Sequence, residues 1–171
     1  SESTKLLLAA STDNPLTDGS EYTFADSLSS ATDEEPNACL YSKSDLVISV
    51  GGTLTVNANY KNGVACKDDL TIENTKIAVN AVNHGINGKD SLTITNATVD
   101  VVSGGDALRS TNDSDATLGY VTVTDSTLTL NAGEDGIQAE TNLTLSGSTL
   151  NVTTGGGSSA SLSDDTSAKG L

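Results

Sequence analysis

The sequence predicts an all-β fold, a right-handed parallel β-helix of about six coils. Three observations carry this. A segment pattern returns every ~22 residues, each return holds three short runs of alternating apolar and polar residues, and large side chains are scarce. The 171 residues suit one domain, 1–171. Hydrophobic residues make up 35% and aromatics 3%, with no Trp and no Met. Such a chain cannot fill a broad core, but it can fill a narrow one with Leu, Ile, Val and Ala.

The first strand of each unit opens at Leu46, Leu70, Leu92, Val121 and Leu143. The second carries Leu54/Val56, Ile77/Val79, Val99/Val101, Leu128/Leu130 and Leu150/Val152. Small or short residues continue that alternation at Ala58, Ala81, Ser103, Ala132 and Thr154. The third has an apolar column at Leu40, Val64, Ile86, Leu108 and Ile137, and a small column at Ser42, Cys66, Gly88, Ser110 and Ala139. Period 2 means strands with one face inward, and no stretch of useful length shows period 3.6. Stacked coils set neighbouring strands about 4.8 Å apart, so like residues sit on like residues. A β-sandwich is the alternative, but it does not require each strand to align with its counterpart one unit away. The right hand follows from the general rule for parallel crossovers.

Leu6, Leu8 and Leu16 fit the inward positions of an earlier coil. Residues 18–37, 112–119 and 155–166 are rich in Gly, Ser, Asn, Asp or Glu and read as inserted loops. Ala168-Lys169-Gly170-Leu171 resembles the start of another third strand. Neither end shows a capping helix, so the sequence points to part of a longer solenoid or to ends that self-associate end to end.

The segments Pro36–Leu46, Asn62–Ile72, Asn83–Asp90, Gly104–Ser110 and Gly133–Thr141, in this order and spacing, resemble one family. It is the bacterial carbohydrate-binding domain proteins with a polysaccharide-lyase-like right-handed β-helix, known for binding cellulose and pectin-type acidic polysaccharide. The resemblance implies an extracellular or cell-surface protein that binds polysaccharide and calcium, without implying lyase activity. The Asp-Gly turn of that family is kept only at Asp135-Gly136; Asn62-Gly63, His84-Gly85 and Asp106-Ala107 replace it elsewhere.

With 8 Lys plus Arg against 23 Asp plus Glu, the formal charge is −15. That removes the electrostatic drive toward nucleic acid and toward anionic membrane surfaces. No apolar run is long enough for a membrane-inserted helix. The charge also has a local consequence. Stacking places Asp68, Asp90 and Asn112 in one turn, with Asp45, Asp69 and Asp113 nearby. Another turn stacks Asn62, His84, Asp106 and Asp135, flanked by Asn83 and Glu134. Carboxylates one coil apart repel by roughly 3 kcal/mol at 5 Å and an effective dielectric near 20. A hard cation with oxygen ligands reverses that sign, so calcium is the expected cofactor, and solvated, splayed side chains are the alternative.

On the outward face of the third strand lie Tyr41, Lys43, Ala65, Lys67, Asn87, Lys89, Arg109, Gln138 and Glu140. Four of the eight cations, Lys43, Lys67, Lys89 and Arg109, share this strip, which suits uronate carboxylates. The alternative is that Lys67 and Lys89 neutralise Asp68 and Asp90. Arg109 has fewer acidic neighbours along the chain and is the leading candidate for ligand contact. Tyr41 and Tyr60 are candidate sugar contacts, but without Trp there is no broad aromatic platform.

The expected function is calcium-assisted binding of extracellular polysaccharide, acidic and pectin-like or cellulosic, without catalysis. A self-assembling fibre or adhesive subunit is the alternative. A lyase needs a base beside the uronate carboxylate, and no residue pattern marks one. His84 stands in a column of Asn and Asp and reads as their substitute. The Thr ladders 71/93/122/144 and 53/98/127/149 reflect strand propensity more than ice binding, because Lys76 and uneven coil lengths interrupt them. Cys39 and Cys66 differ in facing and are expected not to bridge.

Overall fold

The computed structural model describes residues 3–20, 36–157 and 168–171. The chain winds in successive coils. The first has β1 (Ser3–Leu7), β2 (Asp13–Thr17) and β3 (Ala38–Ser42), the second β4 (Asp45–Ser49), β5 (Thr53–Ala58) and β6 (Asn62–Cys66). Then come β7 (Asp69–Glu73), β8 (Lys76–Ala81) and β9 (Ile86–Gly88), followed by β10 (Ser91–Thr95), β11 (Thr98–Ser103) and β12 (Leu108–Ser110). The last described strands are β13 (Tyr120–Thr124), β14 (Thr127–Ala132), β15 (Ile137–Ala139), β16 (Leu143–Ser146) and β17 (Thr149–Thr154).

They form three parallel sheets, β1-β4-β7-β10-β13-β16, β2-β5-β8-β11-β14-β17 and β3-β6-β9-β12-β15. The expected parallel β-helix is therefore the fold. No helix occurs among the described residues. The register matches the repeat residue for residue: Leu46, Leu70, Leu92, Val121 and Leu143 align through successive pairings. So do Leu40, Val64, Ile86, Leu108 and Ile137. Leu6 stands below Ile48 and Leu16 below Val56, as the sequence implies. The terminal rung also continues, since Gly136 N donates to Lys169 O and Ile137 N to Gly170 O. The expected loops at 18–37 and 155–166 fall mostly on residues outside those described.

The core is a column of inward side chains from all three sheets. Ile48, Ile72, Ile94 and Val123 are fully buried, while Leu145 at the last coil is 39% exposed. Burial thus depends on having a coil above and below.

The structure adds one turn column to those read from the sequence. Between the first and second strands of the second to sixth coils, Val50, Asn74, Asn96, Asp125 and Gly147 all have positive φ, between 47° and 71°. Gly, Asn and Asp carry that conformation at least cost, and four of the five positions hold one of them. Asn96 Nδ2 also donates to Asn74 Oδ1 at 2.9 Å, so the amides form a ladder along the corner. Asn96→Ala is expected to lower unfolding stability by about 1–2 kcal/mol, with Asn96→Gly recovering most of it. Urea denaturation of the two variants checks this.

Candidate functional site

The third sheet presents a row of outward residues, one per coil. Tyr41, Ala65, Asn87, Arg109 and Gln138 lie in register. Lys67 and Lys89 follow two positions on, and Thr111 N donates to Lys89 O, so Thr111 completes their row. The sequence has Ala65 simply facing outward, yet it is 4% exposed. It is shorter than every side chain around it, so the strip sinks there into a depression of about 230 Å³ lined by Asn37, Ala65, Cys66, Lys67, Asn87, Lys89, Arg109 and Thr111.

Four of the expected ligand residues, Lys67, Asn87, Lys89 and Arg109, therefore share one concavity. Asn37 and Thr111 join them, although no sequence pattern marks either. Tyr41, Lys43, Tyr60 and Gln138 do not line it. Tyr60 sits in the turn before β6 with Lys61 Nζ 5.3 Å from its ring centroid. Among the described residues Lys89 makes no ion pair.

Among the described residues, three buried side-chain polar atoms lack a hydrogen-bond partner: Asn37 Oδ1, Asn87 Oδ1 and Arg109 Nε. All three belong to residues lining this depression. A buried polar atom left unpaired costs about 1–3 kcal/mol, so such atoms rarely gather without a partner to satisfy them. The residues that carry them offer amides and a guanidinium, the complement of a sugar's hydroxyl and carboxylate groups.

The expectation that Arg109 has few acidic neighbours is corrected. Its Nη1 lies 3.6 Å from Asp106 Oδ2 and 2.9 Å from His84 Nε2. Burial pushes the guanidinium below its ordinary range, opposed by Asp106, Glu134 and Glu140. Asp106 precedes Arg109 by three residues and reaches it from the turn just before β12, whereas Glu134 comes from the next coil. The effect is to anchor Arg109 through Nη1, while Nε is buried and unpaired among the described residues.

Beside it runs the turn ladder. His84 N donates to Asn62 Oδ1 at 3.2 Å, Asp106 N to His84 Nδ1 at 3.0 Å, Asp135 N to Asp106 Oδ1 at 3.0 Å, and Lys169 N to Asp135 Oδ1 at 2.7 Å. Each side chain of the column caps the backbone of the coil after it. The column therefore needs a short side chain with an acceptor, and Asn, Asp and His all supply one. Asn83 Nδ2 also donates to Asn62 Oδ1, at 3.1 Å.

On Asp106, burial raises the carboxyl pKa, but the hydrogen bond with His84, the Asp135 N–H and the charge of Arg109 outweigh it, and the group lies below its ordinary value. A depressed folded pKa contributes stability above the unfolded pKa and loses it as pH falls through the folded one. Asp106→Asn keeps an acceptor for Asp135 N–H. It is expected to lose less stability than wild type on acidification from pH 7 to below about 4. Urea midpoints measured across that range check this.

The acidic turn on the other side uses neutral donors. Ser91 Oγ donates to Asp69 Oδ1 at 2.6 Å and Asn112 Nδ2 to Asp90 Oδ1 at 2.7 Å. Asn112 Oδ1 in turn accepts from Ser114 N and Asp115 N, which folds the loop at residues 112–119. Asp45, Asp68, Asp69, Asp90 and Asp113 offer oxygen alone, the donor chemistry calcium takes. Among the described residues, the group of three His, Cys, Asp or Glu ligand atoms lying within 4.8 Å of one another is instead His84, Asp106 and Glu134. The sequence marks Asp106 and Glu134 as ligands there, and His84 only as a stand-in for Asn or Asp. Cys39 and Cys66 are free thiols. Cys66 donates to Ser44 O at 3.2 Å and burial raises its pKa.

A family profile described as carbohydrate-binding domain-containing protein matches residues 1–171. A protein of that description from Acetivibrio thermocellus is 45% identical over 80 residues, 47% of this chain and 27% of the relative. A solved structure, the gadolinium derivative of a polysaccharide lyase-like protein from C. thermocellum, superposes with a TM-score of 0.69 at 30% identity. That match covers 88% of this chain and 63% of the other, so this chain spans less than two thirds of either relative. By the full-length match and the shared fold, the chain belongs to the carbohydrate-binding domain-containing proteins.

Proposed function

We propose that the depression on the third sheet binds an acidic extracellular or cell-surface polysaccharide, of the pectin type, and holds it without cleaving it. The observation that carries this is the gathering of Lys67, Lys89 and Arg109 around one polar concavity that Asn37, Asn87 and Thr111 also line, in a chain of charge −15. A neutral glucan gives the amide oxygens and guanidinium hydroxyl partners but adds no attraction to the clustered cations. A uronate supplies both. Arg109 is anchored through Nη1 and lines the depression, where its guanidinium suits a carboxylate; Lys67 and Lys89 act as point charges beside it.

Calcium bound by the acidic turn at Asp68, Asp69 and Asp90 would neutralise charge between that turn and the polymer. The protein's own residues bind and orient the chain. Arg109 is held by Asp106 and His84, so its role is to bind.

The test is isothermal titration with oligogalacturonate, its carboxyl-reduced counterpart, and cello-oligosaccharide, each with and without chelator. The reading expects saturable binding of the uronate, weakened by chelator, and weak binding of both neutral oligomers. Equal binding of the carboxyl-reduced oligomer would overturn it. Appearance of unsaturated uronide absorbance during incubation would overturn the non-catalytic part.

A further inference from the structure

The turn beside the depression combines a nitrogen ligand with two carboxylates. A ring nitrogen of His84, an oxygen of Asp106 and an oxygen of Glu134 lie mutually within 4.8 Å. They come from three successive coils and meet because the turn column stacks. Asp106 is buried and Glu134 is the most exposed of the three.

His84 is caught between two donors. Asp106 N–H points at Nδ1 from 3.0 Å, and Arg109 Nη1 stands 2.9 Å from Nε2. A neutral imidazole has one ring nitrogen able to accept, so it cannot satisfy both. Arg109 Nη1 also lies 3.6 Å from Asp106 Oδ2. The chain's own guanidinium thus occupies the space between imidazole and carboxylate where a cation is attracted, at the cost of one unmet contact and an unpaired Nε.

From this we infer a second cation site, for a divalent transition metal of the zinc type, made by His84, Asp106 and Glu134 and in competition with Arg109. Imidazole with carboxylates suits zinc and its neighbours, whereas calcium takes oxygen. Bonds of about 2.0–2.2 Å around a tetrahedral ion place ligand atoms roughly 3.3 Å apart. His84 Nδ1 and Asp106 Oδ2 already stand 3.3 Å apart, so ligation through Nδ1 requires only that the Asp106 N–H release that nitrogen and that the exposed Glu134 close the remaining gap by side-chain rotation. Metal entry displaces Arg109 from the turn and so frees its guanidinium for the depression. The site does not depend on which sugar binds there.

The chain has one histidine, which makes the test direct. Tag-free protein is titrated with zinc chloride, followed by calorimetry and by the two carbon-bound imidazole proton signals in NMR. Expected are saturation at one zinc per chain, a shift of both imidazole signals, and no displacement by a hundredfold excess of calcium. His84→Asn, which restores the residue type found at Asn62 of the same column, abolishes the saturable uptake. Glu134→Gln weakens it more than about tenfold, and Arg109→Gln tightens it. Circular dichroism establishes folding of each variant; should His84→Asn fail to fold, the solvent-side Glu134→Gln carries the test. Absence of saturable uptake in the wild type, uptake unchanged in a folded variant, or displacement by equimolar calcium would overturn the site.

Discussion

Arg109→Ala lowers affinity for oligogalacturonate roughly 10- to 150-fold, the range set by a hydrogen bond to a charged group worth about 1.5–3 kcal/mol. The loss arises because alanine removes the one guanidinium that both lines the depression and is held in place by its neighbours. Lys89→Ala, at the exposed rim, costs less and makes binding less sensitive to salt, since a screened point charge contributes less than an anchored fork. Titration of both variants at two ionic strengths separates these contributions. Asp106 retains the Asp135 N–H in Arg109→Ala, so the fold persists and the loss is one of binding.

Ile94→Ala is the largest expected stability loss, about 2–5 kcal/mol. Ile94 lies in β10 at the middle of the first sheet, is fully buried, and pairs with Ile72 below and Val123 above. A solenoid interior cannot collapse around the void, because the backbone ladders on both sides fix the spacing between coils. The same substitution at Leu145, whose side chain is 39% exposed, costs much less. Urea unfolding of the two variants gives the comparison, and a similar loss at both positions would contradict a core that depends on stacked neighbours.

The fold is legible in the sequence because a parallel β-helix converts sequence period directly into spatial register. Leu92 lies over Leu70 in space for the same reason that it lies one unit later in the chain. Turns obey a weaker rule. Stacking correctly puts Asn62, His84, Asp106 and Asp135 in one column, but period 2 does not say which way a turn side chain points. Hence the backbone caps of that column, the Arg109–Asp106 contact and the approach of Glu134 emerge only in three dimensions. In the sequence Asn37 reads as the end of an inserted loop, and nothing local marks it as a wall of the depression. Ala65 reads as one outward residue among several; that its shortness makes a concavity follows only once its neighbours' lengths are seen together. The left-handed turn column does have a signal, the recurrence of Asn74, Asn96, Asp125 and Gly147 at one position of the repeat.

On this geometry sugar is bound at the third sheet and not on the threonine faces of the other two. Backbone and side-chain amide shifts, followed by heteronuclear NMR as oligogalacturonate is added, test it most directly. The largest changes are expected on Asn37, Asn87, Lys89, Arg109 and Thr111. Changes concentrated on Thr71, Thr93, Thr122 and Thr144, with those five unmoved, would contradict it.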